Sequence, residues 1–330
     1  MDKVANLSAR QRNELFAETA AAMKTTPAIT EKDFWVVWAL HKLFGHDDVK
    51  QMLQFKGGTS LSKVFNLIGR FSEDIDLILD WRKVAQGDPQ AERSKTQQIQ
   101  FNEATNEQAI TYIRDTLLPI VSGLLSPLCT CALHEENAFA ISVRYPAAFN
   151  DDALRPEILL EIGPLAAWSP SAVFQVSSYA AQQFPAVFEQ AECGVPTILA
   201  KRTFWEKATI LHQEAHREAG KPMPPRYSRH YYDMALLARS DVCQQALADL
   251  PLLAEVAAFK QRFYPAAWAK YELAQPGSLK LVPPADRSRE LEQDFKTMQN
   301  MIFDKRLSLD DIMASLGELE QTINALEGVA

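Results

Sequence analysis

The fold turns on residues 56–80, K-G-G-T-S-L-S-K-V-F-N-L-I-G-R-F-S-E-D-I-D-L-I-L-D. At its far end, D-I-D-L-I-L-D (74–80) alternates carboxylate and apolar side chains, the period-two signature of a strand. Asp74 and Asp76 are two apart, so both side chains leave the same face. Paired carboxylates on one face suit Mg²⁺, which takes hard oxygen ligands and keeps positions open for phosphates. At the near end, Gly57-Gly58 opens a short amphipathic helix. The chain has only 12 glycines, so the adjacent pair marks a particular backbone path. Free N–H groups and the dipole at a helix start hold polyphosphate, and glycine lets the backbone approach closely. Lys56, Gly57, Gly58 and the hydroxyl of Thr59 or Ser60 are therefore candidate nucleotide contacts. A phosphate cradle leading into a metal-binding strand is an apparatus for handling a nucleoside triphosphate.

Outward from this stretch, residues 8–23 read as a helix with Ser8 as N-cap. Residues 30–45 read as a second, capped by Thr30 with Asp33 three residues on and ended by Gly45. The aromatic residues Phe34, Trp35 and Trp38 at helical spacing mark a core face. A polar loop follows from 81, then a helix to about residue 118, and strands at 138–146 and 156–163. The expected fold class is α+β: a mixed sheet with flanking helices, then a helical C-terminal domain. The composition shift near residue 200 divides the chain into domains 1–200 and 201–330. In the second domain, helices are expected over 203–220, 229–239, 241–270, 286–305 and 308–328.

The signature is shared. K-G-G-T-S-L … R-F-S-E-D-I-D-L resembles the nucleotidyltransferase-fold toxins of the AbiEii/AbiGii family, MenT-like toxins among them, with their K-G-G-[ST]-x-L … R-x-S-x-D-h-D pattern. E-K-D-F-W (31–35), T-F-W-E-K (203–207) and R-H-Y-Y-D (229–233) resemble further blocks of that family in the same order, covering roughly residues 25 to 240. The resemblance implies metal ligation by Asp74 and Asp76, and triphosphate contacts from Gly57, Gly58 and Thr59 or Ser60. It matches Lys207 and Asp233 to an essential lysine and aspartate. Ser72 matches a serine beside the metal site that is phosphorylated in some relatives. Glu161 is the candidate third carboxylate that the wider fold draws from a neighbouring strand. One departure is Gly-Thr-Ser where the wider superfamily has Gly-Ser, which leaves the contacting hydroxyl open.

The implied activity is Mg²⁺-dependent transfer of a nucleoside monophosphate from an NTP, with release of pyrophosphate, by a toxin of a toxin–antitoxin or abortive-infection (phage-defence) pair. The implied acceptor is the 3′ end of tRNA, which would block translation; the implied partner is a cognate antitoxin such as a winged-helix regulator. Lysine suits the triphosphate as a compact positive charge, and Asp233 would orient a site group or act as base. Plainer readings stand beside these. Glu206 and Lys207 fit a solvated helix face, and Asp233 fits an i,i+4 pair with Arg229. A nucleotidyltransferase acting on a small molecule or protein belongs to the same reaction class. A non-catalytic nucleotide-binding module is a different class, against which the crowded carboxylates argue.

Composition bounds the rest. The chain has 330 residues, 34 Lys+Arg, 42 Asp+Glu and 47% hydrophobic residues, which excludes disorder. A net charge of −8 weighs against a nucleic-acid binder. Charge is segregated, however. Residues 193–239 hold eight basic side chains against four acidic ones, whereas after Arg306 come Asp310, Asp311, Glu318, Glu320 and Glu327 with no basic residue. The N-terminus has no secretory pattern and no apolar run spans a bilayer, so a cytoplasmic location is expected. The four cysteines fit no zinc framework. His212 and His216 sit in H-Q-E-A-H, with the glutamate one place late for metalloprotease geometry.

Overall fold

The computed structural model describes residues 1–149 and 154–326. Glu327 and the end of the expected 308–328 helix lie outside the described residues. Two compact units form: residues 1–65 with 71–198, and residues 66–70 with 199 onward.

The first unit is built on a seven-stranded mixed sheet. Its strands are β1 (Leu53–Lys56), β2 (Ile75–Leu79), β3 (Thr130–Leu133), β4 (Ala140–Arg144), β5 (Glu157–Gly163), β6 (Ser171–Ser177) and β7 (Glu192–Ile198), in the order β3-β4-β5-β2-β1-β7-β6. Along β2, Ile75, Leu77 and Leu79 are fully buried in the main core, together with Ile158, Leu160 and Ile162 of β5. The alternate residues Asp76 and Glu161 therefore leave by the opposite face.

Helix Ala9–Met23 starts at Ser8, whose side chain and Gln11 form a reciprocal capping box. The next helix differs from expectation. It begins at Pro27, with Thr26 as the cap, and runs to Gly45. Proline is favoured in a first turn because its missing N–H has no partner there in any case. Thr30 lies inside the helix, fully buried, its hydroxyl donating to the carbonyl of Phe16 at 2.8 Å. Phe34, Trp35 and Trp38 are core residues, at most 2% exposed. The helix expected to stop near 118 continues to Leu125 through a wider π turn at Ile113–Leu117, next to Pro119.

The helical second unit comprises Ala200–Ala215, Ser228–Ala238, Asp241–Leu247, Leu250–Phe263, Ser288–Met298 and Leu309–Asn324. The expected 241–270 helix is two helices bent by 80°, with Pro251 in the first turn of the second. No single helix among the described residues is long and apolar enough to cross a membrane.

Candidate active site

In the first unit, β1 and β2 pair antiparallel with Lys56 opposite Asp76, while β2 and β5 pair parallel with Asp76 beside Glu161. The glycine turn follows β1 directly. Gly57 has φ +80°, and a Cβ placed there would lie 1.9 Å from Asp76 Oδ2. Only glycine fits, on both counts. The backbone of the glycine turn and the Asp76 carboxylate are thus in immediate contact. Lys56, Gly57 and Gly58 are half-buried at this turn.

The two hydroxyls face inward instead. Thr59 and Ser60 are fully buried. Thr59 Oγ1 donates to the carbonyl of Asp74 and is hydrogen-bonded to Ser72 Oγ at 2.9 Å. Ser60 Oγ donates to the Gly57 carbonyl at 2.8 Å. Thr59 thus ties the turn to the acidic segment, while Ser60 closes the turn on itself.

Asp74, just before β2, is a strongly perturbed acid. Burial, then the charges of Glu73 and Glu161, push its pKa up to about 7; Asp76 adds to this and Lys32 opposes it. Glu157, on the same strand face as Glu161, lies 3.9 Å from both Arg144 and Arg155. Among the described residues, no three His, Cys, Asp or Glu side chains converge into a finished metal-ligand cluster. Asp74, Asp76 and Glu161 are neighbours with mutual repulsion rather than a closed cage. An all-oxygen donor set nonetheless fits a hard divalent cation.

Three consecutive buried charges support this arrangement from helix Pro27–Gly45. Glu31 accepts from the backbone N–H groups of Ala148 and Phe149. Lys32 donates to Glu73, the neighbour of Asp74, and to the Arg155 carbonyl. Asp33 pairs with Lys63 at the end of the Gly57–Lys63 helix and accepts from the Tyr179 N–H at 2.6 Å.

In the second unit, Lys207 on helix Ala200–Ala215 and Asp233 on helix Ser228–Ala238 are both buried and joined at 2.7 Å. Arg70 belongs to this unit and grips the same carboxylate with two bonds, Nε to Oδ1 at 2.7 Å and Nη2 to Oδ2 at 2.8 Å. Burial alone would raise the Asp233 pKa, but Arg70 and Lys207 hold it well below the usual carboxylate range. Arg229 is not its partner. Segment 66–70 is fixed in place too. The Gly69 carbonyl accepts from Phe303 and Asp304 N–H, and a Cβ on Gly69 would lie 2.3 Å from the Asp304 oxygen.

The chain matches the model of the nucleotidyl transferase AbiEii toxin family, a type IV toxin–antitoxin system, over residues 38–315. It belongs to that family. AbiEii membership therefore extends through most of the C-terminal helices, which no motif anchors in sequence. Among solved structures, the chain is similar to JHP933 from Helicobacter pylori (13% identity, 89% of this chain and 91% of that one, TM-score 0.43). It is also similar to MenT4, a nucleotidyltransferase toxin from Mycobacterium tuberculosis (16% identity, 94% and 97%, TM-score 0.42). No curated protein sequence matches it.

Within the AbiEii signature, the structure gives the arginine of R-F-S-E-D-I-D a partner that sequence reading did not find. Arg70 and Asp233 are 163 residues apart, and nothing local announces their pairing. The buried run Glu31-Lys32-Asp33 was also missed. Pro27 was the available signal, since it moves the helix start upstream and places these charges in the helix interior. His212 is not a metal ligand here. Its Nδ1 accepts from the Lys280 N–H at 3.0 Å and its Nε2 lies 2.9 Å from the Lys270 carbonyl. Burial pushes its pKa down to about 4. The four cysteines are free thiols.

Proposed function

We propose that this AbiEii-family nucleotidyltransferase toxin moves a nucleoside monophosphate from an NTP onto the 3′ end of tRNA in a Mg²⁺-dependent reaction, releasing pyrophosphate. The observation that carries the reading is the contact of the Gly57 backbone with the Asp76 carboxylate, with Glu161 in register beside it. Phosphate-binding backbone and cation-binding oxygens are then one structure. Asp74, Asp76 and Glu161 would hold the metal, which when bound supplies Lewis-acid polarisation of phosphoryl oxygens.

The backbone N–H groups of Gly57 and Gly58 orient the triphosphate, with Lys56 beside them. Thr59 and Ser72 fix the approach to Asp74 through their hydroxyl pair. Phosphorylation of Ser72 would break that pair and add negative charge beside four carboxylates, a direct route to inactivation. Lys207 supplies a compact positive charge for the departing pyrophosphate. Asp233 acts as the orienter of Lys207 and Arg70. A carboxylate held so far below its ordinary range by two cations is a poor general base. The family implies a cognate antitoxin.

The test is incubation of the purified chain with total tRNA, Mg²⁺ and each labelled NTP in turn, beside Asp76→Ala. Label on RNA that vanishes in the variant is expected. Absence of label with every NTP, together with harmless overexpression, would overturn the proposal.

A further inference from the structure

The sheet of the first unit ends in two unequal edges: β3 has four residues, whereas β6, at the other end, has seven. Native edge strands are blunted by shortness, charge, proline or a bulge, because unpaired N–H and C=O groups template pairing with another chain. β3 uses shortness. β6, S-A-V-F-Q-V-S, has neither charge nor proline, and its register with β7 runs without a bulge from Ser171↔Ile198 to Ser177↔Glu192. Val173, near its middle, is 67% exposed.

β7 fixes which groups lie open. Pro196 has no N–H, so an unbroken ladder passes the Val173↔Pro196 position only as a non-hydrogen-bonded pair. Alternation then turns the N–H and C=O of Ser171, Val173, Gln175 and Ser177 away from β7. None of these backbone groups has a partner among the described residues. The strand also lies in the longest uncharged run of the chain, the 27 residues from Ile162 to Phe188. Depletion of charge marks the core of protein–protein interfaces, and such a strand offers a polyanion no cation of its own.

We propose that β6 pairs antiparallel with β6 of a second copy of this chain, about a two-fold axis at Phe174. The edge is self-complementary in that register. Val173 meets the partner's Gln175 and Ser171 meets the partner's Ser177, and each pair exchanges two backbone hydrogen bonds because both members face outward. Phe174 meets its own counterpart in a closely spaced non-hydrogen-bonded pair. Its half-buried ring already lies edge-on to Phe65, with centroids 5.0 Å apart, and gains a second aromatic neighbour. Charge selects a second copy as the occupant. The facing strand is equally uncharged, so no like charges meet and no ion is desolvated. One strand pair about 24 Å long covers less than the roughly 800 Å² per partner of a permanent interface, so the dimer is reversible. The pairing is independent of the activity proposed above.

The experiment is sedimentation velocity on the full chain from about 1 to about 100 µM, the range that populates a dimer of micromolar affinity. Wild type is expected to pass from one-chain to two-chain mass. The dimer should not weaken as salt rises to about 0.5 M, since no charges pair across the edge. Val173→Pro deletes an N–H that points outward and leaves the bonds to β7 intact. Val173→Lys adds the charge that native edges use against pairing. Each should raise the dissociation constant at least about tenfold. Ile99→Lys makes the same change of charge at an apolar residue 41% exposed on helix Lys95–Tyr112, and should dimerise like wild type. The lysine variant keeps the test valid if the proline variant misfolds, which its Tm reports. A wild type that stays one chain in mass throughout overturns the second copy as occupant. So does a dimer that survives both edge variants, that weakens equally in Ile99→Lys, or that dissociates in salt.

Discussion

The same residue type lives in opposite surroundings in the two units. In the first, Asp74 stands among Glu73, Asp76 and Glu161, opposed by Lys32, and burial with these like charges pushes its pKa up to about 7. In the second, Asp233 is more deeply buried yet stays strongly acidic, because Arg70 and Lys207 both bond it. Burial is common to both carboxylates, so charge partners decide the difference. Acidic neighbours dominate the field at Asp74, and basic ones dominate it at Asp233. Removing a charge should therefore have unequal consequences for stability in the two places.

The largest expected effect is on chemistry. Asp76→Asn should lower nucleotidyl transfer by about 10²–10³-fold, the scale of removing one key charge-stabilising group. Its Tm should fall far less than that of Asp233→Asn, because the repulsion between Asp76 and Asp74 leaves with the charge. A Tm that falls by several degrees would mean Asp76 is a structural residue, and the contrast between the units would be lost. Asp233→Asn should cost far more stability. It removes the charge that Arg70 and Lys207 both bond, at a cost of about 3–5 kcal/mol, which lowers Tm on the order of 10 °C. Calorimetry of the two variants side by side measures the contrast. Equal Tm values for Asp233→Asn and wild type would break it.

How much of this was legible follows from which contacts are local. Strands β2, β4 and β5 announce themselves through bounded apolar or alternating runs, and Ser8 announces its helix. β1 is four residues long and reads as an approach to the glycine turn. β6 exposes Ser171, Ala172 and Val173 at a sheet edge, so it lacks a clean alternation. β7 contains Pro196, which argues against a strand; it is tolerated there because β1 meets β7 at Thr197, beyond the proline. In the site, Asp74, Asp76 and Gly57 were legible because strand period and glycine chemistry are local properties. The inward turn of Thr59 and Ser60 was not, since it depends on where the Asp74 carbonyl comes to rest. Nor was the Arg70–Asp233 grip, which only folding brings together.

Gly57→Ala sharpens the comparison from the backbone side. The left-handed φ alone costs about 1 kcal/mol for a residue with a Cβ, and the methyl must also displace the Asp76 carboxylate. Transfer should fall nearly as far as in Asp76→Asn, while Tm drops by only a few degrees. Gly69→Ala in the second unit makes a useful counterpart, because its Cβ would strike the Asp304 carbonyl instead. It should cost stability with a smaller share of the activity loss. If Gly57→Ala kept wild-type transfer, the turn would not be what positions Asp76.

A narrower test is the pH dependence that Asp74 alone imposes. The Asp74 pKa is raised from 3.8 to about 7 on folding. Between those values the folded chain holds a proton that the unfolded chain has released, so stability declines as pH rises through this window. Below about pH 4 both states are protonated, and above about pH 7 both are ionised with the loss complete. In metal-free protein, the Tm difference between wild type and Asp74→Asn should therefore turn against wild type as pH climbs from about 4 to about 8. Asp233 cannot mimic this, because its ionisation lies well below the window. A difference that stays flat across the range would mean Asp74 is not the crowded acid of the pair. The contrast would then rest on Asp233 alone.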